Sequence, residues 1–454
     1  MKSRFLKRMT VVVGLTLTIM YASCTPDYPN APNGSFSSGT ADFTKYVSIG
    51  NSLTAGYQNG GLRDVFQTNS YPRMIAAQLG VDMTYNPFPD SGTAGSLFYG
   101  NPAFSPTTGS PNLIGSVTST APTNSLQPTP YENLGVPGAF LYDFLNATSN
   151  TTCWQATRLG SSSNTLFNAI VRGSTQFANL KAMAAASVPA TFISFHLGNN
   201  DILGYATNGA GLNGDFTAVA GVPPYTPVNS SDLPLATILA YNFADGYARS
   251  IDSLLTLNAD LVLANIPNVT DIPFFTAVNK DSVTVNLSPL VKAKIYTTET
   301  NVQFVTLTAS RYLGRTDFGA GAAPDHPYGL HPANPLGAQF TLTTTEVANI
   351  SNIISGYNQV IDAIAAAHDI PVADLNGFFA NVAAVSGPTG AGYPIGSGLR
   401  VKTDFISGGL FSLDGVHPST LGYAILANEI IKTVNAHYGS TVPEVDLNQF
   451  IVFP

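Results

Sequence analysis

From residue 46 to residue 56 the chain reads Tyr-Val-Ser-Ile-Gly-Asn-Ser-Leu-Thr-Ala-Gly. Its first four residues are mostly apolar and β-favouring, which predicts a buried strand over residues 46–49. A small polar turn follows at once and predicts that the chain enters a helix near Ser52. A hydroxyl at such a turn is exposed and lies close to the N–H groups at the start of the helix. Ser52 is therefore the first candidate for a reactive side chain.

The rest of the chain repeats this alternation of strands and helices. A helix with an early Pro and a terminal Gly is predicted over residues 70–80. Three further helical patterns each lead into a short apolar run: 176–186 into 191–197, 235–258 into 261–266, and 345–368 into 370–374. A last helix is predicted over 418–438. Such alternation predicts an α/β fold in which helices cover both faces of a parallel sheet.

Three long stretches interrupt the alternation, at about residues 87–130, 204–232 and 268–343. They are rich in Gly, Pro, Ser, Thr and Asn, and loops of this length within a compact domain are usually functional or disordered. We interpret them as insertions into one α/β domain over residues 43–440, followed by a tail at 441–454. A small subdomain built mainly from the third stretch is the alternative.

Composition excludes several classes of protein. Of 454 residues, 44% are apolar and only 10% are charged, so the chain has enough apolar side chains for a large core. The net charge is −8, which argues against a nucleic-acid partner. Two cysteines are too few for a disulfide scaffold or a Cys-based zinc site.

The N-terminus has the pattern of an export signal. Basic residues precede an apolar stretch at residues 9–21, which as a helix spans about 20 Å, against about 30 Å for a bilayer core. The following Tyr21-Ala22-Ser23-Cys24 resembles the lipobox of bacterial lipoproteins, with Tyr where Leu is usual. The resemblance implies a signal peptide at 1–23, lipidation of Cys24, a flexible tether at 24–42, and a membrane-anchored protein of the bacterial cell envelope, facing the periplasm or the exterior. Ordinary signal cleavage nearby is the alternative.

Four short motifs occur in an informative order. They are Gly-Asn-Ser-Leu at 50–53, Asn-Leu-Gly-Val-Pro-Gly at 133–138, Gly-Asn-Asn-Asp at 198–201, and Asp-Gly-Val-His-Pro at 414–418. Together they resemble the four sequence blocks of the SGNH, or GDSL, hydrolases. The resemblance implies a three-layer α/β/α fold with a parallel sheet, similar to flavodoxin. It also implies one catalytic residue from each block: Ser52, Gly138, Asn200 and His417.

The chemistry of these residue types agrees with that assignment. A Ser hydroxyl is a poor nucleophile unless a base removes its proton, and His is suited to that role near neutral pH. His417 is the one histidine with an Asp three residues earlier and a Pro directly after it. Asp414 is placed to accept from one ring nitrogen of His417, so that the other faces Ser52.

The tetrahedral intermediate of acyl transfer needs hydrogen-bond donors for its oxyanion. The family resemblance assigns them to the Ser52 N–H, the Gly138 N–H and the Asn200 side chain. Asn51 stands where the GDSL group has Asp. It keeps the size and one acceptor oxygen, so we expect the loop geometry to survive.

Other polar residues have simpler interpretations. We expect Asp201 to brace its loop, His196 to be a core histidine, and Cys153 to serve packing. Asp325, His326 and His331 resemble a second Asp/His block, but no strand–helix pattern surrounds them, and we predict a plain loop. A metal or substrate contact there is the alternative. We expect no cofactor and no metal.

These observations predict an exported serine ester hydrolase, a GDSL-like lipase or esterase. Its expected substrate is a small-molecule, lipid or glycan ester. An O-acetyl-glycan esterase using the same site is one alternative, and a surface lipoprotein that binds glycan or lipid without turnover is another. A zinc-dependent glycan deacetylase would need a metal triad that the sequence does not supply.

Overall fold

The computed structural model describes residues 35–93, 96–105, 111–115, 122, 130–159, 164–186, 188–210, 235–396 and 398–450. The predicted signal peptide, Cys24 and most of the predicted tether lie outside the described residues. The same is true of residues 211–234, which form most of the second predicted insertion.

The strands of the described residues are β1 Tyr46–Gly50, β2 Leu97–Phe104, β3 Pro111–Gly115, β4 Asn133–Gly135, β5 Phe192–His196, β6 Asp260–Ala264, β7 Ser282–Leu287, β8 Leu290–Lys294, β9 Val302–Val305, β10 Thr341–Thr343, β11 Val372–Ala373, β12 Tyr393–Gly396 and β13 Leu399–Val401. The α-helices are α1 Ser52–Ala55, α2 Asp64–Gln67, α3 Tyr71–Leu79, α4 Asp143–Asn146, α5 Trp154–Leu159, α6 Leu166–Ile170, α7 Gln176–Ala185, α8 Asn200–Thr207, α9 Leu235–Leu255, α10 Pro273–Thr276, α11 Thr344–Ala367, α12 Leu375–Ala384 and α13 Thr420–Tyr438. Short 3₁₀ turns lie at Val269–Asp271, Leu307–Arg311, Ala338–Phe340 and Leu447–Phe450.

A five-stranded sheet forms the centre, in the order β11-β6-β5-β1-β4, with every neighbouring pair parallel. Numbered along the chain, these five strands have the order 2-1-3-4-5, which is the flavodoxin-like doubly wound arrangement. The strand order reverses between β1 and β5, so a crevice opens beyond the carboxyl ends of these two strands. The predicted α/β class with a parallel sheet is confirmed.

Helices cover both faces of this sheet, and the side chains of β5 show how. Phe192 and His196 face the layer formed by α3 and α13, where their rings lie 6.0 Å from Tyr438 and 6.3 Å from Tyr71. Phe195 points the opposite way and packs against Phe144 of α4 and Tyr247 of α9. Because successive side chains of a strand point to opposite faces and both faces are covered, all five residues of β5 are buried.

The two ends of the described chain pack on the domain. The Thr40 N–H donates to the carbonyl oxygen of Tyr438 at 2.9 Å, and the Thr441 N–H to that of Ser37 at 2.8 Å. Val442 and Val445 are buried. The backbone hydrogen bonds therefore attach the predicted tether to the domain from residue 37 onwards. The buried valines pack the predicted tail against the domain through residue 445.

The insertions add small elements of their own. Strands β2 and β3 pair in the first, and the third contains the hairpin β7–β8 and the pair β9–β10. The third also has a separate apolar cluster that includes Ile295, Val305, Tyr328, Leu336 and Phe340. No helix in the described part of the chain is long and apolar enough to span a membrane.

Candidate active site

The candidate nucleophile begins a short helix directly beyond β1. The side chain of Asn51 caps this helix, since its Oδ1 accepts from the Leu53 N–H at 3.1 Å. The acceptor oxygen that Asn shares with Asp therefore serves as the cap. Gly135 of β4 lies so close to α1 that a Cβ there would meet the Ala55 nitrogen at 2.3 Å. Ser52 is thus held at the carboxyl end of β1, by the tight packing of α1 against β4 and by the Asn51 cap.

Ser52, His417 and Asp414 form a continuous hydrogen-bonded chain. The Ser52 Oγ lies 2.8 Å from the Nε2 of His417. The Nδ1 of the same ring lies 2.9 Å from the Oδ2 of Asp414. The nucleophile lies 365 residues before the base along the chain, and the orienting carboxylate lies 3 residues before the base, but all three share one line of contacts.

The carboxylate of Asp414 is held in its ionised form. Burial alone would raise the pKa of Asp414, but the His417 side chain and the N–H groups of Val416 and His417 together lower it below its usual value. Both N–H groups donate to Oδ1 at 2.8 Å. An ionised Asp414 holds the His417 ring with its other nitrogen towards Ser52.

Further contacts to Asp414 and His417 come from residues that the sequence analysis does not select. Gly60 N–H donates to the Oδ2 of Asp414 at 2.7 Å, and the Ser412 hydroxyl donates to its Oδ1 at 3.2 Å. The Tyr57 ring lies 4.7 Å from the His417 ring. Only Tyr57 could have been suspected beforehand, since it follows the nucleophile motif closely.

The candidate oxyanion donors meet at the ends of three neighbouring strands. Gly138, in the loop after β4, adopts a φ of 78°, a conformation that favours glycine. The hydrogen bonds of the described residues give the N–H groups of Ser52 and Gly138 no protein acceptor. Asn200, after β5, donates one amide hydrogen to the carbonyl oxygen of Ala139 at 2.8 Å. Its second amide hydrogen remains for a ligand.

Two carboxyl groups, Asp143 fully buried and Asp201 partly buried, brace the loop after β4. We expect Asp201 to brace its own loop, but it accepts from the Leu141 N–H at 3.0 Å, in the loop after β4. Asp143 accepts from the N–H groups of Phe140 at 2.8 Å and Trp154 at 2.6 Å. Burial raises the pKa of Asp201 to about 7 and that of Asp143 to about 8. Asp143 belongs to no motif, so no pattern in the sequence selects it.

An apolar pocket opens beside Ser52 and His417. Its empty space is about 590 Å³, part of it open to solvent, and Asn200 lines it as well. The apolar lining includes Leu203, Val269, Ile272, Leu375, Phe379 and Phe411. The start of the third predicted insertion therefore contributes to the pocket wall. Such a wall suits a hydrocarbon group placed next to the reacting atoms.

The other histidines lie apart from this pocket. His196 is a core histidine whose Nε2 is 3.3 Å from the Nδ2 of Asn199, and burial lowers its pKa to about 4. The rings of His326 and His331 stack at 4.2 Å within a loop of the third insertion. Neither ring lines the pocket. In the parts of the chain that the structure describes, no three His, Cys, Asp or Glu side chains are grouped to hold a metal ion.

Two solved structures resemble the chain weakly. One is LAE5, an alpha/beta hydrolase enzyme from the metagenome of Lake Arreo, Spain; it is 10% identical, with 87% of this chain and 96% of that chain covered and a TM-score of 0.32. The other is the extracellular lipase of Streptomyces rimosus, at 12% identity, with 87% and 99% covered and a TM-score of 0.31. These scores are too low to support an argument. Comparison with curated proteins gives no match.

The family comparison covers far more than the individual motifs. The family described as GDSL-like Lipase/Acylhydrolase matches residues 46–430. This range runs from β1 into α13 and includes all four motifs and every residue of the hydrogen-bonded chain. The protein therefore belongs to the GDSL-like lipase/acylhydrolase family and is a hydrolase of ester bonds.

Proposed function

We propose that the protein is an exported serine esterase that transfers the acyl group of its substrate to Ser52 and then to water. The observation that carries the proposal is the 2.8 Å contact between the Ser52 Oγ and the Nε2 of His417. An unactivated hydroxyl would not attack an ester at a useful rate, and this contact provides the base that it needs.

The reaction proceeds in two halves. The Ser52 Oγ attacks the ester carbonyl carbon while its proton moves to the Nε2 of His417. The N–H groups of Ser52 and Gly138 and the Asn200 amide stabilise the oxyanion of the tetrahedral intermediate. His417 returns the proton to the departing alcohol oxygen, which leaves an acyl-enzyme. Water, deprotonated by His417, attacks the acyl carbon; the acid is released and Ser52 regains its proton.

The apolar pocket supports a hydrocarbon acyl group. Aliphatic and aromatic side chains surround the space beside Ser52, and burying each methylene of an acyl chain there contributes up to about 0.8 kcal/mol. An acetyl group offers a single methyl to this apolar wall, whereas a longer chain can contact more of it. We therefore favour esters of longer acyl chains over the alternative of O-acetylated glycans.

A panel of esters tests this choice. Hydrolysis should be measured for one alcohol esterified with acids from acetyl to palmitoyl, with acetylated xylan alongside. The proposal predicts that kcat/KM rises beyond acetyl as the chain fills the pocket. Preference for acetyl esters together with rapid deacetylation of xylan would favour the glycan esterase instead.

We also propose that the enzyme is exported and anchored through a lipid on Cys24, which lies outside the described residues. The apolar N-terminal stretch and the small residues before Cys24 support this. Metabolic labelling with a radioactive fatty acid should mark the wild type and not Cys24→Ser. Equal labelling of the two proteins would contradict the lipid anchor and favour ordinary signal cleavage.

A further inference from the structure

A tight turn follows the nucleophile helix α1 and contacts the loop that carries Asp414 and His417. Residues Gln58 and Gly61 exchange backbone hydrogen bonds of 3.1 and 3.0 Å. Between them, Asn59 has a φ of 52° and Gly60 a φ of 75°. Two consecutive residues with positive φ define a stiff two-residue hairpin of the I′ kind, for which Asn-Gly is the preferred sequence. The turn therefore presents its N–H groups and the Asn59 side chain in fixed directions.

Three hydrogen bonds connect this turn to residues 412–414, in the loop that carries Asp414 and His417. The Asn59 side chain accepts from the Leu413 N–H at 2.9 Å, and the Asn59 N–H donates to the Ser412 hydroxyl at 3.0 Å. The Gly60 N–H donates to the Oδ2 of Asp414 at 2.7 Å. The same Oδ2 is hydrogen-bonded to the Nδ1 of His417, so the turn and the base share one acceptor atom.

The same segment also contacts the nucleophile and the base directly. The Tyr57 N–H donates to the Ser52 carbonyl oxygen at 3.0 Å, and the Tyr57 ring packs at 4.7 Å against His417. The hydroxyl of Tyr423 fixes the Tyr57 carbonyl from the last helix at 2.7 Å. A closed ring of contacts therefore runs from Ser52 through the turn to Asp414, on to His417, and back to Ser52.

We propose that the turn Gln58–Gly61 positions the catalytic base, and that Asn59 is the positioning residue that sets the distance between His417 and Ser52. This inference rests on the proposed function. Asn59 touches neither the substrate nor the reacting atoms. It acts by holding Ser412 and Leu413, the two residues that directly precede Asp414. A displacement of the base by 1 Å is enough to slow a reaction by about 10²-fold, so such a contact affects the rate and not only the stability.

Asn59→Gly is the most specific test, because glycine keeps the left-handed backbone and removes only the side chain. Asn258→Gly is the matched control, since Asn258 has a φ of 53° and directly precedes β6, at the amino ends of the parallel strands and therefore away from the site. We expect kcat of Asn59→Gly to fall by roughly 10- to 100-fold with KM within about twofold. Asn258→Gly should keep the wild-type kcat, and melting temperatures should show that both variants are folded at the assay temperature.

Asn59→Asp is the rescue variant. It keeps an acceptor oxygen for the Leu413 N–H and tolerates a positive φ, so it should recover most of the kcat that Asn59→Gly loses. If Asn59→Gly does not fold, Ser412→Ala replaces it, because this change removes the acceptor of the Asn59 N–H together with one donor to Asp414. It should lower kcat, and an unchanged kcat in a folded Ser412→Ala variant would overturn the positioning role.

The outcomes separate this proposal from the proposed function. A folded Asn59→Gly variant with the kcat of Asn258→Gly, or an Asn59→Asp variant as slow as Asn59→Gly, would overturn the positioning role alone. A wild-type protein that neither hydrolyses esters nor reacts with a fluorophosphonate would overturn the proposed function and this inference together.

Discussion

The side chain of Asn133 donates a hydrogen bond of 2.9 Å to the carbonyl oxygen of Thr54. Its Oδ1 accepts from the Gly135 N–H at 3.0 Å, so this one buried amide attaches β4 to the nucleophile helix. The first residue of the second motif is therefore a structural partner of the first motif. It contacts the helix that carries Ser52 and lies away from the reacting atoms.

Asn133→Ala should destabilise the protein. The Thr54 carbonyl and the Gly135 N–H would lose a buried partner, and leaving such groups unpaired costs about 1–3 kcal/mol. The free energy of unfolding from denaturant titration measures this loss. An unchanged free energy of unfolding would mean that water or another side chain replaces the amide.

Asp414→Asn should leave the fold intact and lower kcat by as much as about 10⁴-fold, because the amide favours the wrong tautomer of His417. Steady-state kinetics and the melting temperature check the two parts. His331→Ala is the control, since His331 lies in a separate loop, and it should keep the wild-type kcat. A slow His331→Ala beside an active His417→Ala would reverse the assignment of the base.

Asn200→Ala should lower kcat by roughly 10²–10³ while acylation stays detectable, because two backbone donors remain for the oxyanion. KM should change less than kcat, since the lost interaction belongs to the transition state. A bracing role for Asn200 through the Ala139 carbonyl would instead lower the melting temperature. Full activity in a folded variant would remove Asn200 from the site.

The carboxyl groups of Asp143 and Asp201 should make the protein less stable as pH rises. Burial raises their pKa values from the ordinary 3.8 to about 8 and about 7, so the folded chain holds these protons more tightly than the unfolded chain. Their contribution is complete below about pH 4 and is lost as pH rises through 7 and 8. Denaturant unfolding across this range should show a flatter decline for Asp201→Asn, whose amide oxygen still accepts from Leu141. An identical slope in both proteins would contradict the buried-proton account.

Much of the fold could be predicted from local patterns. The helices at 176–186, 235–258 and 345–368 and the strands that follow them were expected from periodicity, and the structure places them within a few residues. Strand β4 was not predicted, because Asn-Leu-Gly has no strand propensity and is extended through its pairing with β1. The attached segment at residues 37–41 was also missed, since its partners lie about 400 residues away.

The candidate site divides in the same way. Ser52, Gly138, Asn200, Asp414 and His417 could be selected because each belongs to a short motif at the end of a strand or before a helix. Asn59, Ser412 and Asp143 could not, because their importance comes from contacts between distant segments. The residues of the pocket wall could not be predicted either, since Val269 and Ile272 belong to a stretch interpreted as an insertion.

Covalent labelling by a fluorophosphonate, followed by mass spectrometry of the digested protein, tests the role of Ser52 most directly. We expect a single modified peptide, with the phosphonyl group on the Oγ of Ser52, and a much slower reaction in His417→Ala. Ser52→Ala, folded as judged by its melting temperature, should show neither labelling nor ester hydrolysis. Modification of a different residue, or undiminished hydrolysis by Ser52→Ala, would contradict the assignment of Ser52 as the nucleophile.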